Sequence, residues 1–133
     1  MRMDPHLARR RSNHRPLTPL DFLDRAVGMF PDRRAVVWRD LELSYERFGQ
    51  VVATFADFLK GQGVGPGDVV SLMCANRPEM LAAHYAVPLL GAVLNSINTR
   101  LDQETVAYIL DHSQSRLIIA DPASHPVAAG AGR

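Results

Sequence analysis

The sequence predicts an α/β fold built around a small parallel sheet, and three observations support this. After Asp68, short continuous apolar runs alternate with segments of helical periodicity. Such runs are typical of strands buried on both faces of a parallel sheet, and helices are the usual crossovers between them. The chain has 133 residues, the size of one domain, and its 47% hydrophobic content is sufficient for a core.

A short helix and a hairpin are predicted ahead of the sheet. Thr18 as N-cap and Pro19 at the first helical position begin an amphipathic helix, which Pro31 ends. Two short strands, Ala35–Trp38 and Leu41–Tyr45, flank a two-residue turn and form a hairpin.

A longer helix is predicted from about Tyr45 to Gln62, and a glycine-rich segment, residues 61–67, follows it. The apolar face of the helix consists of Phe48, Val51, Val52, Phe55 and Leu59. The glycines lack the G-x-G-x-x-G spacing, and they lie after a helix and before a strand, the reverse of a phosphate-binding loop. A helix C-cap followed by a Pro-Gly turn therefore explains this segment better.

The parallel sheet itself is predicted in the order strand, helix, strand, helix, strand. These elements are Val69–Cys74, Pro78–Leu90, Ala92–Ile97, Gln103–His112 and Leu117–Ala120. Each crossover should be right-handed. The helix Pro78–Leu90 has almost no polar face, so we expect it to be covered on more than one side and bent at Pro88.

Five polar side chains follow the three strands at their carboxyl ends, where ligands collect in open α/β sheets. They are Asn76, Arg77, Asn98, Arg100 and Asp121. Two arginines beside backbone donors could receive a carboxylate or a phosphate. The structural alternative, which we favour, makes Asn76 and Asp102 N-caps, lets Asn98 satisfy its own loop and pairs the arginines with nearby acids.

Composition excludes several classes of protein. The net charge of +1 is far from the positive field of a nucleic-acid binder. Cys74 is the single cysteine, which rules out an intrachain disulfide, and the five histidines show no metal-binding spacing. No serine lies in a G-x-S-x-G setting. No apolar run is long enough for a transmembrane segment or a secretion signal, so we expect a cytoplasmic protein.

Residues 1–15 are predicted to be a basic, disordered leader. They contain five arginines against the single acid Asp4 and have no periodic apolar pattern. A mitochondrial presequence would be rich in arginine too, but the amphipathic stripe that it requires is missing.

Several segments together resemble the beginning of the AMP-dependent, adenylate-forming acyl-CoA synthetases. They are Pro16–Ala26, Phe30–Arg33, Ser44–Glu46, Gly65–Val70, Asn76–Met80 and, most specifically, Ala86–Leu101. The resemblance covers about Asn13 to Asp121, and it is to the medium-chain branch found in plants and bacteria.

The resemblance implies that residues 16–121 are the first portion of the large N-terminal domain of such a ligase, a partial AMP-binding domain. Complete members activate a carboxylic acid with ATP and magnesium to an acyl-adenylate, which coenzyme A converts to a thioester. Their phosphate-binding loop, ribose ligand and catalytic lysine lie beyond the matched region. We therefore expect no catalytic, cofactor-binding or metal-binding residue in this chain, and no cofactor for it alone.

After Asp121 the sequence departs from the family pattern, because most of residues 122–133 are small residues or proline. An irregular tail is expected there, as truncation or a frameshift would produce. An interrupted sheet would leave a strand edge unpaired and an apolar helix uncovered, so we expect marginal stability and self-association.

Three functional hypotheses follow. The first is a truncated acyl-CoA synthetase, inactive unless the rest of the ligase is supplied. The second is a non-catalytic interaction module or decoy derived from such an enzyme. The third, a free-standing flavodoxin-like nucleotide module, is weakened because no strand is followed by a phosphate-cradling loop. The acyl substrate is not defined by these residues.

Overall fold

The computed structural model describes residues 17–132 and confirms the α/β fold. Its elements are, in chain order, α1 (Pro19–Met29), β1 (Arg34–Trp38), β2 (Leu41–Ser44), α2 (Tyr45–Gly61), β3 (Val69–Met73), α3 (Pro78–Leu89), β4 (Val93–Ile97), α4 (Gln103–His112), β5 (Ser115–Ala120) and α5 (His125–Ala131). Each helix and strand predicted from the sequence is present. The leader expected at residues 1–15 lies outside the described residues.

Helix α1 and the β1–β2 hairpin are present as predicted, and both pack against α2. Thr18 is the N-cap of α1, and its N–H donates to Asp21 Oδ2 at 2.7 Å. The two hairpin strands are antiparallel. Val36 is buried in the same hydrophobic cluster as Phe48 of α2, so the hairpin is attached to the domain core.

The glycine-rich segment is a helix cap followed by a tight turn, which confirms the structural interpretation. Gly63 has φ +79°, and its N–H donates to Lys60 O at 2.9 Å. The Val64 N–H reaches back to Leu59 O at 3.1 Å, which completes a Schellman motif. Gly67, at φ +84°, then occupies the third position of the turn from Gly65 to Asp68.

The three parallel strands are arranged in the order β4-β3-β5. Val70 and Leu72 of β3 contact α2 and α3, and we call this side the α2/α3 face. Met73 contacts α4 and α5 on the other side, the α4/α5 face. The sheet is therefore the middle layer of three.

The two crossovers of the sheet have the same hand. Strands β4 and β5 lie on opposite sides of β3, and the connecting helices α3 and α4 lie on opposite faces. The connection β3–α3–β4 and the connection β4–α4–β5 therefore run in opposite directions across the sheet and on opposite faces. Two such connections have the same hand. Nearly all such connections in proteins are right-handed, and a right-handed crossover stays the prediction for both.

A polar network occupies the α4/α5 face inside the sheet. Ser71 is fully buried, and its Oγ lies 2.5 Å from Ser115 Oγ. Asn95 Nδ2 donates to Ser71 Oγ at 2.9 Å and to Ser113 Oγ at 3.3 Å. The network therefore links all three strands and the end of α4.

Helix α3 is covered on several sides, as its composition predicts. Its buried positions are Pro78, Ala82, Ala83, Ala86 and Val87. Arg77, and not Asn76, is the N-cap of α3, so the prediction for Asn76 is wrong. The reason is Pro78 at the first helical position, which forces the preceding residue into an extended conformation, here φ −127° and ψ 163°. Pro88 lies in the last turn.

Residues 125–131 form helix α5 where an irregular tail was expected. The Ser124 and His125 N–H groups both donate to Asp121 O, at 3.1 and 2.9 Å. Ala128 is buried against α4 and the sheet. A Cβ at Gly130 would come within 3 Å of Gln103, so the small residues that argue against a helix are what lets it approach α4 closely.

Candidate functional site

The predicted polar side chains lie at the carboxyl edge of the sheet. Met73 is in register with Ile97 of β4 and with Ala120 of β5. The residues that follow, Asn98 and Asp121 among them, therefore begin their loops at the same level. The predicted placement at one edge of the sheet is confirmed.

Asp121 fastens the ends of β3 and β5 to each other and to α5. Its Oδ2 accepts from the Ala75 N–H at 3.0 Å, and its Oδ1 accepts from the Ser124 N–H at 2.8 Å. The hydrogen bond from Ala75, followed by those from Ser124, lowers the pKa of Asp121 to about 2. A carboxylate so strongly ionised is a poor general base, and both its oxygens have structural partners.

Arg77 connects the hairpin with the start of α3. Its guanidinium binds Glu79 through two hydrogen bonds, Nε to Oε2 at 3.3 Å and Nη2 to Oε1 at 3.2 Å. It also lies over the Trp38 ring, 5.3 Å from the centroid, and Arg39 lies 4.6 Å from the same centroid. The charge of Arg77 is thus already shared with an acid and an aromatic ring.

The remaining predicted residues serve their own loops. Asn98 Oδ1 accepts from the Arg100 N–H at 3.0 Å, and Asp102 Oδ1 accepts from the Thr105 N–H at 2.8 Å as the N-cap of α4. These two structural assignments and the pairing of Arg77 with Glu79 are confirmed. Arg100 is exposed and forms no ion pair with a residue in the described part of the chain.

Cys74 lies beside Asp121 and is 8% exposed. Burial is the main reason that the pKa of its thiol is raised, and the negative charge of Asp121 raises it further. Since the thiolate is the reactive form of cysteine, this thiol is not set up as a nucleophile.

An apolar cavity of about 640 Å³ opens next to these residues on the α2/α3 face. It separates α2 from the part of the sheet formed by β5, and we call it the β5 groove. Its polar end lies at the carboxyl edge, where Arg77, Glu79 and Asp121 line it. Its apolar walls are formed by Val51, Phe55, Phe58, Leu72 and Ile119.

The structure assigns the five predicted polar residues to different places. Arg77 and Asp121 line the β5 groove, and Asn76 lines a neighbouring cavity against the hairpin. Asn98 and Arg100 line neither of these two cavities. The two arginines therefore do not converge on one anion site.

Sequence reasoning missed Phe58 as a surface residue of interest. The predicted apolar face of α2 treats Val51, Phe55 and Leu59 as one stripe, but the structure divides the helix. Leu59 is fully buried, whereas Phe58 is 50% exposed at the β5 groove. One signal was available in the sequence: the apolar residues of α2 cover a wider arc of the helix than a single packed face requires.

The described residues form neither a glycine-rich phosphate cradle nor a cluster of metal ligands. The glycines that might approach a phosphate are used in the cap and turn after α2. Between residues 17 and 132, no three His, Cys, Asp or Glu side chains lie close enough together to hold a metal ion. Over the same residues, no helix has both the length and the apolarity to cross a membrane.

The sequence matches the family model described as AMP-binding enzyme over residues 23–132, a range that includes α5. It is 41% identical over 110 residues to the peroxisomal acetate/butyrate–CoA ligase of Arabidopsis thaliana, covering 83% of this chain and 19% of that ligase. It is 42% identical over 105 residues to 4-hydroxybutyrate–CoA ligase 2 of Metallosphaera sedula, covering 79% of this chain and 19% of the ligase.

Solved structures show the same similarity. The fatty acyl CoA synthetase of Mycobacterium tuberculosis superposes with a TM-score of 0.79 at 31% identity, over 83% of this chain and 22% of that one. The separately solved N-terminal domain of FACL13 from the same organism gives the same score and identity, with 28% of that domain covered. The chain spans about a fifth of the length of the curated relatives that it matches. It belongs to the AMP-binding enzyme family and corresponds to an N-terminal part of its acyl-CoA ligases.

Proposed function

We propose that this chain is the scaffold part of an ATP-dependent acid–thiol ligase and does not form an acyl-adenylate by itself. The complete ligase would convert a carboxylic acid, ATP and coenzyme A, with magnesium, into an acyl-CoA thioester. Relatives are named for acetate, butyrate, 4-hydroxybutyrate and trans-cinnamate, so the proposed substrate class is a small or medium carboxylic acid.

The observation that carries the proposal is the occupation of the carboxyl edge by structural contacts. Asp121 has two backbone N–H partners, and Arg77 is held between Glu79 and Trp38. Asn98 serves its own turn. Side chains held by such partners stabilise the fold, whereas catalysis requires groups that are free to contact a substrate.

Carboxylate-dependent exchange of pyrophosphate into ATP tests the proposal. The intact mass of the native gene product should be measured first, so that the protein assayed is defined. The purified 133-residue chain should give no exchange with butyrate or 4-hydroxybutyrate, whereas the same chain combined with the rest of a ligase should. Exchange by the chain alone would refute the proposal, and so would failure of the combined polypeptides despite a stable complex.

A second candidate is a non-catalytic interaction module derived from such an enzyme. The β5 groove favours it, because an apolar cavity beside an exposed Phe58 is a surface that a partner can cover. A stable and monodisperse 133-residue species, with no gain of activity when the rest of a ligase is added, would support this candidate over the first.

The cytoplasm is the proposed location, since a single cysteine, Cys74, is consistent with a reducing compartment. Several relatives carry the word peroxisomal in their names, which is a statement about those proteins. A fluorescent fusion of the native gene product would separate these locations.

A further inference from the structure

Helix α1 is apolar on its outer face as well as on its inner one. Leu23 and Val27 on the inner face pack into the hydrophobic cluster shared with α2 and α3. Phe22 and Met29 are seven positions apart, so they lie on one face of the helix, and they are 59% and 65% exposed. Arg25 lies between them and is exposed on the same face. We call Phe22, Arg25 and Met29 the α1 face.

The exposed apolar side chains around the α1 face are concentrated in one part of the chain. Four of the eleven large ones in residues 17–132 lie within fourteen positions, and they are Leu17, Phe22, Met29 and Phe30. The Arg33 guanidinium lies over the Phe30 ring, 5.3 Å from its centroid. Apolar side chains that cluster on a surface, beside cations, mark a place where that surface contacts a partner.

The α1 face is not a pocket for a small molecule. None of these four apolar residues lines the β5 groove, the cavity against the hairpin or the cavity between α4 and α5. Helix α1 packs on α2 and α3 through its inner face, so its outer face is a ridge on the surface of the domain. Small-molecule sites are concave, whereas a ridge fits a broad and flat partner.

The charge of the chain is distributed unevenly around this ridge. Residues 1–15 have an excess of four positive charges, whereas residues 16–133 have an excess of three negative ones. The two acids of α1 do not oppose this charge on the α1 face. Asp21 caps Thr18 at the start of the helix, and Asp24 lies two positions from Phe22, which places it on another side. The basic part of the sequence therefore directly precedes the apolar ridge.

A basic segment next to exposed apolar side chains on a helix is the pattern that recognises anionic lipid. Each arginine close to an anionic membrane strengthens binding by roughly fivefold. Residues 9–11 are three consecutive arginines, and Arg15 is seven residues before Phe22, a span of at most about 25 Å. The positive charge thus stays near the α1 face, where it attracts the lipid that the apolar side chains enter.

A second copy of this chain fits the same surface less well. In a symmetric dimer the same patch of both copies meets. Two α1 faces in contact would bring two basic segments of the same sign together, which disfavours the dimer. A lipid surface of opposite charge carries no such penalty.

We propose that α1 docks on an anionic lipid surface. Phe22 and Met29 insert among the lipid headgroups, and Arg25 and the arginines of residues 2–15 bind the anionic groups of the lipid. The helix lies in the plane of the interface, and its inner face stays packed on α2 and α3. The role is independent of acid–thiol ligation, because no residue of the carboxyl edge takes part.

Vesicle flotation with the full 133-residue chain tests the proposal. The vesicles are phosphatidylcholine alone and an equal mixture of phosphatidylcholine and phosphatidylserine. We expect binding to the mixture to be roughly tenfold or more stronger than to phosphatidylcholine alone. Raising NaCl from about 0.1 M to 1 M shortens the Debye length from about 10 Å to 3 Å, so this preference should largely disappear.

Matched variants separate the apolar part from the basic part. Phe22→Asp should weaken binding to the mixed vesicles by roughly tenfold or more, because a carboxylate replaces an inserting ring. Phe58→Asp changes a similarly exposed phenylalanine of α2 and should alter binding by less than about twofold. The triple variant Arg9→Gln, Arg10→Gln and Arg11→Gln should lose most of the preference for phosphatidylserine. Thermal unfolding of Phe22→Asp and Phe58→Asp should match the unmodified chain, because both rings are already about half exposed.

Four results would overturn the inference. They are no binding to either vesicle, equal binding to both, equal losses for Phe22→Asp and Phe58→Asp, and binding that the arginine triple variant abolishes but Phe22→Asp leaves unchanged. A dimer in analytical ultracentrifugation that only Phe22→Asp dissociates would assign the α1 face to a second copy. Lipid binding and pyrophosphate exchange are separate readouts, so the failure of one leaves the other standing.

Discussion

Replacing Leu59 by alanine tests whether the chain forms its own core. Leu59 is fully buried on α2, in the cluster that joins this helix to β3 and α3. The substitution removes three carbons, worth roughly 2.4 kcal/mol of transfer free energy at about 0.8 kcal/mol each. The cavity that remains adds to this, so we expect a loss of about 3–4 kcal/mol in the free energy of unfolding.

Thermal unfolding followed by far-UV circular dichroism measures this loss. At roughly 4 °C per kcal/mol for a chain of this size, Leu59→Ala should lower Tm by about 12–16 °C. Leu89→Ala is the matched control on α3, because Leu89 is 51% exposed and should lose only about 1 kcal/mol. Equal shifts for the two variants, or an unmodified chain that melts without a cooperative transition, would refute the packing of α2 described here.

Three further predictions concern the turn after α2 and the carboxyl edge. Gly63→Ala should destabilise the chain by about 1–2 kcal/mol because φ is +79°, whereas Gly61→Ala, in open space within α2, should stabilise it by about 0.5–1 kcal/mol; denaturant titration compares them. Asp121 has a pKa of about 2 in the folded state against an ordinary 3.8, so the unfolded chain binds the proton more tightly and acid favours unfolding. The stability that Asp121 contributes should therefore be lost between about pH 4 and 2, and Asp121→Asn should flatten this limb of a pH titration of stability. Cys74 should react with iodoacetamide at pH 8 much more slowly in the folded chain than in denaturant, because burial raises the pKa of its thiol; equal rates would contradict its burial.

The sequence was sufficient to predict the order of the elements, because apolar periodicity reports which side of each segment is buried. It was insufficient for α5. Pro126 lies in the first turn, where proline is tolerated, but Gly130 has low helix propensity, and the contacts that stabilise this helix come from α4, which lies more than ten residues earlier in the chain. Local propensity was overridden by packing.

The candidate site was predicted less well than the fold. That polar residues cluster at the carboxyl edge follows from the strand order, but their partners do not. One of the two Asp121 carboxylate oxygens accepts from the N–H of Ala75, 46 positions away. The N-cap at Arg77 was accessible from the sequence, since the residue before a proline is driven to an extended conformation. The exposure of Phe58 depends on the cavity between α2 and β5, which the sequence of α2 alone does not report.

The network of Ser71, Asn95, Ser113 and Ser115 has a consequence for how this chain can misassemble. If a strand slipped by one residue or were replaced by a strand of different sequence, apolar side chains would face these hydroxyls, and buried donors would be left without acceptors at a cost of about 1–3 kcal/mol each. Correct neighbours alone satisfy the whole set. The polar interior therefore favours the native strand register in a sheet whose β5 edge has no strand partner among the described residues.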